Sequence, residues 1–469
     1  MNVYMTILTA AAVAAAFSGA YAQDIDEDAL FSDTAITMVD SASLEVNTSA
    51  IDGVDSTMVS FSGEVTGVAD ATVNRDWFEN RDRKGIDPGA LMLGDLMLDV
   101  RLPFGMKAYA DMELNLAPSD GGLAFSNPDN YLASPKDSGL AVTVPEIFVD
   151  ANIARKAYFR AGKQVLQWGR SYFWNPTDLV NVEKKPFVEK IGSREGTYGV
   201  KAHIPFGTKA NIYSFLDMNN LRSIDDLAGA ARIEGLFGGV EAGVALWGKR
   251  GYDPIFGLDF SATLFSWSIT GEMSITSGNN YHVLDMGKSA VITGDPEDAP
   301  LVFKDPGSDP VVRLSAGFMQ MFELLDVDDR LMVVGEFYFN QIGDNGNVFK
   351  KYHVKEKLDM VNALPDSSGE KQIAYAALSD AFEFNSLSRF YGAFFITVSK
   401  FIVSDMTLTM NGLINFNHGC AMLTAGVNYR TLHNFSLGCS LTGVVGPEES
   451  EYALTGTGAS LRVTTGMSF

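Results

Sequence analysis

Basic residues and cysteine are what this sequence is short of. Its 469 residues hold 35 Lys plus Arg against 58 Asp plus Glu, a net charge of −23. A nucleic-acid binder needs clustered cations to neutralise phosphates, so that class is excluded. Two Cys support neither a disulfide framework nor a structural zinc site. The five His, at 203, 282, 353, 418 and 433, show no zinc-ligand spacing, so no metal and no cofactor are expected. Long hydrophobic runs are also missing: after the first segment, Asp, Glu, Lys, Arg or Asn interrupts every apolar stretch, which excludes membrane-spanning helices. What is plentiful is Gly (45), Phe (31) and Tyr (16), in a chain that is 46% hydrophobic and therefore too apolar to be wholly disordered.

The first segment is an address. Met5 to Phe17 is apolar and rich in small residues, and Ala20-Tyr21-Ala22 fits the small-x-small cleavage pattern, so residues 1–22 are expected to be an export signal. No Lys or Arg precedes the apolar stretch, which leaves the amino terminus as its only positive charge. Residues 23–56 follow with nine acidic residues between Asp24 and Asp55 and no basic one. High charge and little apolar periodicity predict a disordered tail there, with a plug of the lumen as the alternative.

From residue 57 to 469 the pattern changes to period two. In Met106 to Leu116 the even positions are Met, Ala, Ala, Met, Leu and Leu, while Lys107, Tyr109, Asp111, Glu113 and Asn115 fill the odd ones. About eighteen such segments can be drawn, beginning with 57–67, 90–102, 106–116, 140–153 and 157–166 and ending with 435–445 and 454–469. Their connections sort by parity. Pro103-Phe104-Gly105, Pro205-Phe206-Gly207, Phe237-Gly238 and Leu325 to Asp329 are short, whereas 68–89, 117–139, 167–194, 277–310 and 341–389 all fall in the alternate set. A soluble sandwich has no reason to sort its loops in this way; an all-β transmembrane antiparallel barrel of the outer-membrane type does, with short periplasmic turns and long outer loops. The barrel is expected over 57–469, in the outer membrane of a diderm bacterium.

The connection after the fifth segment is the most distinctive stretch. It runs Gly162-Lys163-Gln164-Val165-Leu166-Gln167-Trp168-Gly169-Arg170-Ser171-Tyr172-Phe173-Trp174-Asn175-Pro176-Thr177-Asp178. These residues resemble a group of bacterial outer-membrane porin-like barrels, which carry a Gly-x-Gln strand end, Trp-Gly, an aromatic pair and Asn-Pro-x-Asp. Where that group has a second proline, this chain has Val182. The terminal Phe469, on an alternating last segment, likewise resembles the assembly signal of such barrels and implies the barrel-assembly machinery as a partner. On physical grounds, four aromatic side chains within seven residues are costly to leave in water, so the loop 167–194 is expected to fold inward. Trp168, Arg170, Trp174, Asp178, Lys184 and Lys185 are its candidate constriction residues; packing against neighbouring loops at the rim is the bland alternative.

Charges on barrel strands belong on the inner face, since Lys or Arg facing lipid at the midplane costs about 2–4 kcal/mol. Asp95, Asp99, Asp111, Glu113, Glu146 and Asp150 are therefore expected to line one wall of a lumen, and Arg160, Lys201 and His203 the next. Mutual pairing inside a plugged barrel is the alternative to an open field. These features point to a porin, a passive diffusion channel for small hydrophilic solutes or ions, embedded in outer-membrane lipid and compatible with a homo-trimer. A fatty-acid-type transporter would need an apolar lumen, and a closed-barrel adhesin would use loops 277–310 and 341–389.

No enzyme is expected. Asn415-Phe416-Asn417-His418-Gly419-Cys420 distantly suggests a barrel phospholipase but has no Ser nucleophile nearby. The strand pairing expected around residue 432 puts Cys420 opposite residues near Val445 and Cys439 opposite Gly426, too far apart for a disulfide.

Overall fold

The computed structural model describes residues 58–74, 86–116, 140–180, 196–219, 221–281, 283–284, 303–304, 306–353, 385–430, 434–453 and 457–469. The segments expected as signal peptide and acidic tail, 1–22 and 23–56, lie outside them, as do Lys184 and Lys185. The strands are β1 (Met58–Asn74), β2 (Ile86–Leu102), β3 (Met106–Leu116), β4 (Leu140–Ile153), β5 (Ala157–Gln164) and β6 (Thr197–Phe206). β7 (Ala210–Asp217), β8 (Ala228–Phe237), β9 (Val240–Lys249), β10 (Ile255–Leu264), β11 (Trp267–Ser277) and β12 (Pro310–Phe322) follow. The last six are β13 (Leu331–Asn340), β14 (Phe390–Val398), β15 (Met406–Asn415), β16 (Cys420–Arg430), β17 (Phe435–Val445) and β18 (Thr457–Ser468). They form one 18-stranded antiparallel sheet in which each strand pairs with the next. β18 returns to β1 through pairs such as Thr465 with Gly67, so the sheet closes and has no edge. Gly63 and Phe469 complete the closure with two backbone hydrogen bonds of 3.0 and 2.9 Å.

Burial follows period two with the sense inverted relative to a soluble protein. In β9, Val244 and Leu246 are exposed while Ala245 and Trp247 are buried; in β10, Phe256, Leu258 and Phe260 are exposed while Asp259 is buried. The exposed apolar face is the surface a bilayer solvates, and the closed ladder satisfies every spanning backbone group without water. On that face Phe260 and Phe318 stand directly opposite Gly271 and Gly335, and each ring lies where a Cβ of the glycine would be. No helix among the described residues is long and apolar enough to cross a membrane.

Two expectations are corrected in detail. The first long connection, drawn as 68–89, shrinks because β1 runs on to Asn74 and β2 starts at Ile86. Gly67, Pro88 and Gly89 read as loop formers, yet Gly89 sits opposite Asp70 in register, and its missing Cβ leaves room for the Asp70 carboxylate. The register between β16 and β17 is one residue away from that expected: Cys439 faces Val427, and Val445 faces Ala421. Both cysteines are free, Cys420 buried and Cys439 exposed on the opposite face of the sheet.

Candidate permeation path and constriction loop

The loop between β5 and β6 is built from its ends. Gly162 takes a φ of +133°, which L side chains rarely adopt, and a Cβ there would strike the Ile147 carbonyl. The strand end so formed buries Gln164 completely, its amide donating to the Gly199 carbonyl at 3.2 Å. The chain then leaves the wall. Trp168 and Asp178 tie its two limbs together, the Trp168 N–H donating to the Asp178 carboxylate at 3.1 Å. Gly169 has no room for a side chain because Asn175 lies against it, and a turn from the Asn175 carbonyl to the Asp178 N–H (3.0 Å) folds the segment back. Gly162, Gln164, Gly169, Asn175 and Asp178 of the pattern thus each have a local geometric reason.

Two carboxylates of the far wall hold the loop by its backbone. Glu336 of β13 accepts the N–H groups of Tyr172 (2.7 Å), Phe173 (3.0 Å) and Trp174 (2.7 Å), together with the Ser315 hydroxyl (2.8 Å). Glu272 of β11 accepts those of Arg170, Ser171 (2.6 Å) and Thr177 (3.1 Å), and the Thr177 hydroxyl at 2.8 Å. Successive peptide N–H groups curved around one anion make a strong charge-assisted site, and they also satisfy loop donors that burial has removed from water.

The side chains fasten to the same wall. Arg170 reaches Asp259 (2.6 Å), Glu234 (3.1 Å) and Glu241, and Arg232 of β8 holds Asp259 (2.7 and 2.8 Å), Glu234 and the Trp168 carbonyl. Two guanidinium groups are thereby spent on three carboxylates. Trp168 packs with Leu166, Leu179, Val180, Phe215 and Trp247, and Trp174 with Tyr338, Tyr391, Leu413, Met422 and Tyr452. The loop therefore occupies the interior along β8 to β16 and leaves the walls of β1 to β6 less covered.

The structure places Asp95, Asp99, Asp111, Glu113, Glu146, Asp150, Arg160, Lys201 and His203 on inner-face positions, and none of them is fully buried. Glu64, Asp95 and Glu113 stand opposite one another on β1, β2 and β3, and Asp111 faces Glu146 across β3 and β4. The acidic and basic groups are not sorted onto separate walls. Lys107, Asp150, Arg160 and Lys201 share one cross-strand row. Arg160 grips Asp150 with two bonds of 2.7 and 3.0 Å while lying over the Phe148 ring, and Lys107 pairs with Asp99 at 2.8 Å. His203 stacks on Tyr213 at 4.5 Å and meets Asn211 at 3.0 Å. An apolar lumen of the fatty-acid-transporter kind is not what these faces present.

Arg232, Glu234, Glu241, Asp259, Glu272 and Glu336 escaped the sequence reading as functional candidates. The signal was present: each is a charge within a strand, between neighbours that are apolar or glycine. Which of them would meet the loop is a matter of tertiary folding, since Glu336 is more than 160 residues from Trp174. Among the described residues no group of three or more His, Cys, Asp or Glu is arranged to hold a metal ion.

No protein-family model matches the chain, and no curated protein matches it in sequence. Solved structures do match in fold. OccAB1 of Acinetobacter baumannii superposes with a TM-score of 0.51 at 8% identity, over 88% of this chain and 96% of that one. OccK2 (OpdF) of Pseudomonas aeruginosa, solved in complex with glucuronate, gives 0.49 at 9% identity, over 88% and 98%. At such identity the likeness is one of fold: a closed 18-stranded antiparallel barrel of the outer-membrane type.

Proposed function

We propose that the protein is an outer-membrane porin through which small hydrophilic solutes diffuse, with a path running between the inward-folded loop and the inner faces of β1 to β6. The observation that carries this reading is the contrast in burial between the two sides. Arg232, Glu234, Asp259, Glu272 and Glu336 are buried beneath the loop, whereas Asp95, Asp111, Glu113, Glu146, Arg160 and Lys201 keep part of their surface. Charges left half-solvated on a barrel wall line a wet passage, since taking an ion fully out of water costs several kcal/mol.

The same contrast sets the preference for charge. Among the described residues, the cations of the loop and of β8, Arg170 and Arg232, are consumed by Glu234, Glu241 and Asp259, so these two add little field to the path. On the open side Arg160 and Lys107 are paired with Asp150 and Asp99, while Glu64, Asp95, Asp111, Glu113 and Glu146 form an acidic band. Cations and solutes bearing an amine are favoured over anions on this reading.

Planar-bilayer recordings of the refolded protein in a salt gradient test both parts. Reproducible ohmic steps, with a reversal potential of the sign for K+ over Cl−, are the expected result. Silence from protein verified as folded overturns the channel, and the opposite sign overturns the charge preference alone.

A further inference from the structure

A basic ramp climbs the inner face of the barrel from the periplasmic end of β1. Met58, the first residue of β1, stands opposite Arg101, and Arg101 opposite Lys107. The same row continues through Asp150 and Arg160 to Lys201, the fifth residue of β6. Rows across tilted strands run obliquely to the membrane, so this one starts at the periplasmic rim and ends inside the lumen. At about 4.8 Å per strand, the steps from β1 to β6 cover about 24 Å.

Charge on the ramp is weighted to one sign. Four of its side chains are cations, Arg101, Lys107, Arg160 and Lys201, and Asp150 is the one carboxylate in the row. The turns 154–156 and 207–209 on the same rim add Arg155, Lys156 and Lys209, all exposed, and no acid. Arg160 pairs with Asp150, and Lys107 with Asp99 one row further in, which leaves seven cations against two carboxylates. The far side of the barrel has the opposite balance, for the turn between β12 and β13 holds Glu323, Asp326, Asp328 and Asp329 beside Arg330. An acidic chain at the periplasmic mouth is therefore drawn to one sector and repelled from the other.

The sequence carries the matching charge at the foot of this ramp. Residues 23–56 hold nine acidic side chains and no basic one, and only Thr57 separates them from Met58. Covalent continuity therefore holds one end of the acidic segment beside Arg101. A coil of this length reaches about 30 Å, enough to follow the ramp from end to end. Tethering also keeps its carboxylates at an effective concentration of order millimolar, ahead of any free acidic partner. Further in, Glu64, Asp95, Asp111, Glu113 and Glu146 repel it, so the segment stops at the ramp.

We propose that the acidic segment 23–56 folds back through the periplasmic mouth and lies along the ramp from Arg101 to Lys201. There it narrows the path between the inward-folded loop and β1 to β6. It also neutralises a basic mouth that would otherwise oppose the cationic solutes favoured by the acidic band. The effect on passage rests on the channel reading; the docking itself does not.

Carbodiimide cross-linking tests the docking without reference to conduction, because it joins a carboxylate to a lysine amine only where the two touch. The protein is extracted from outer membranes, reconstituted in phospholipid vesicles, cross-linked and read by mass spectrometry. Residues 23–56 should become linked to Lys107, Lys201 or Lys209 in about 0.1 M salt, and the links should fade at about 1 M as the screening length falls from about 10 to 3 Å. Lys400 is the control, since it is exposed on the same rim between β14 and β15, about as far from β1 in the other direction. Absence of the links, or equal linkage to Lys400, would overturn the docking. Single-channel steps then compare the protein with a variant whose nine acidic residues in this segment are Asn or Gln. The variant should give steps about twofold larger in about 0.1 M salt, where charges act over about 10 Å. Equal steps overturn the narrowing, whereas links in a protein that passes no current overturn the channel reading alone.

Discussion

Trp174 lies flat on Tyr338, with ring centroids 5.3 Å apart and planes within 1° of parallel. The pair joins the folded-in loop to β13 near that strand's outer end, and the Trp174 indole N–H extends the attachment to the Asn385 carbonyl at 3.2 Å. Beside it, Glu336 holds the Trp174 backbone. One residue is therefore fixed by a ring face, an indole donor and a main-chain donor at once, which leaves the loop little freedom to swing.

Removing the ring should free the loop. Trp174→Ala costs about 3–5 kcal/mol, the usual range for losing a buried large aromatic, and leaves the loop without its stack. Single-channel recording should show larger and noisier steps, and thermal unfolding a lower midpoint. Unchanged conductance would mean that the loop does not set the width of the path.

The two carboxylate anchors can be separated by isotope exchange. Glu336→Gln keeps the shape but loses charge assistance and one acceptor oxygen, about 2–3 kcal/mol by the usual cost of a hydrogen bond to a charged group. The amides of Tyr172, Phe173 and Trp174 should exchange faster while those of Ser171 and Thr177 stay protected. Glu272→Gln should give the converse pattern. Uniform acceleration in both variants would show that the loop opens as one unit.

Much of this architecture was legible in the sequence because its causes are local. Alternation along 106–116 gave a strand and its inner face, and the parity of the connections gave the closed barrel. Trp168-Gly169 and Asn175-Pro176 marked the loop, since Gly169 and Asn175 need each other within seven residues. The anchors were not legible. Glu272 and Glu336 look in sequence like any inward charge, and only closure of the barrel brings them beneath residues 170–177. Gly67, Pro88 and Gly89 misled for the opposite reason: strong local signals for a loop were overridden by the ladder between β1 and β2.

Arg170 should be the most sensitive single charge. Replacing it with Ala leaves Arg232 to face Glu234, Glu241 and Asp259 alone, and stranding buried carboxylates costs about 3–5 kcal/mol. Where the barrel still folds, the reversal potential in a salt gradient should move further toward cations. Arg170→Lys should restore little, because a point charge cannot bridge three carboxylates as a planar fork does.

Acidification should tighten the outer rim above β14 to β17. There Glu451 is wholly buried and accepts the Asn385 N–H (2.6 Å), the Asn415 amide (2.6 Å) and the Tyr391 hydroxyl (3.0 Å). Its own N–H donates to His418 Nδ1 at 3.2 Å. Burial pushes the Glu451 carboxyl up to about 7 and the His418 imidazole down to about 4. A raised carboxyl pKa means that the closed rim holds a proton the opened one has released, so stability falls as pH rises from 4.5 through 7. His418 works the other way: its contribution is lost as pH falls through 6.5 toward 4, so the two effects offset below 6.5. Between pH 8 and 6.5 the Glu451 effect, about fourfold, outweighs a roughly twofold loss from His418, so protection of the Asn385 and Glu451 amides, corrected for intrinsic exchange, should rise roughly twofold. Glu451→Gln should abolish that rise. A rise that persists in the variant would assign the pH response to another group.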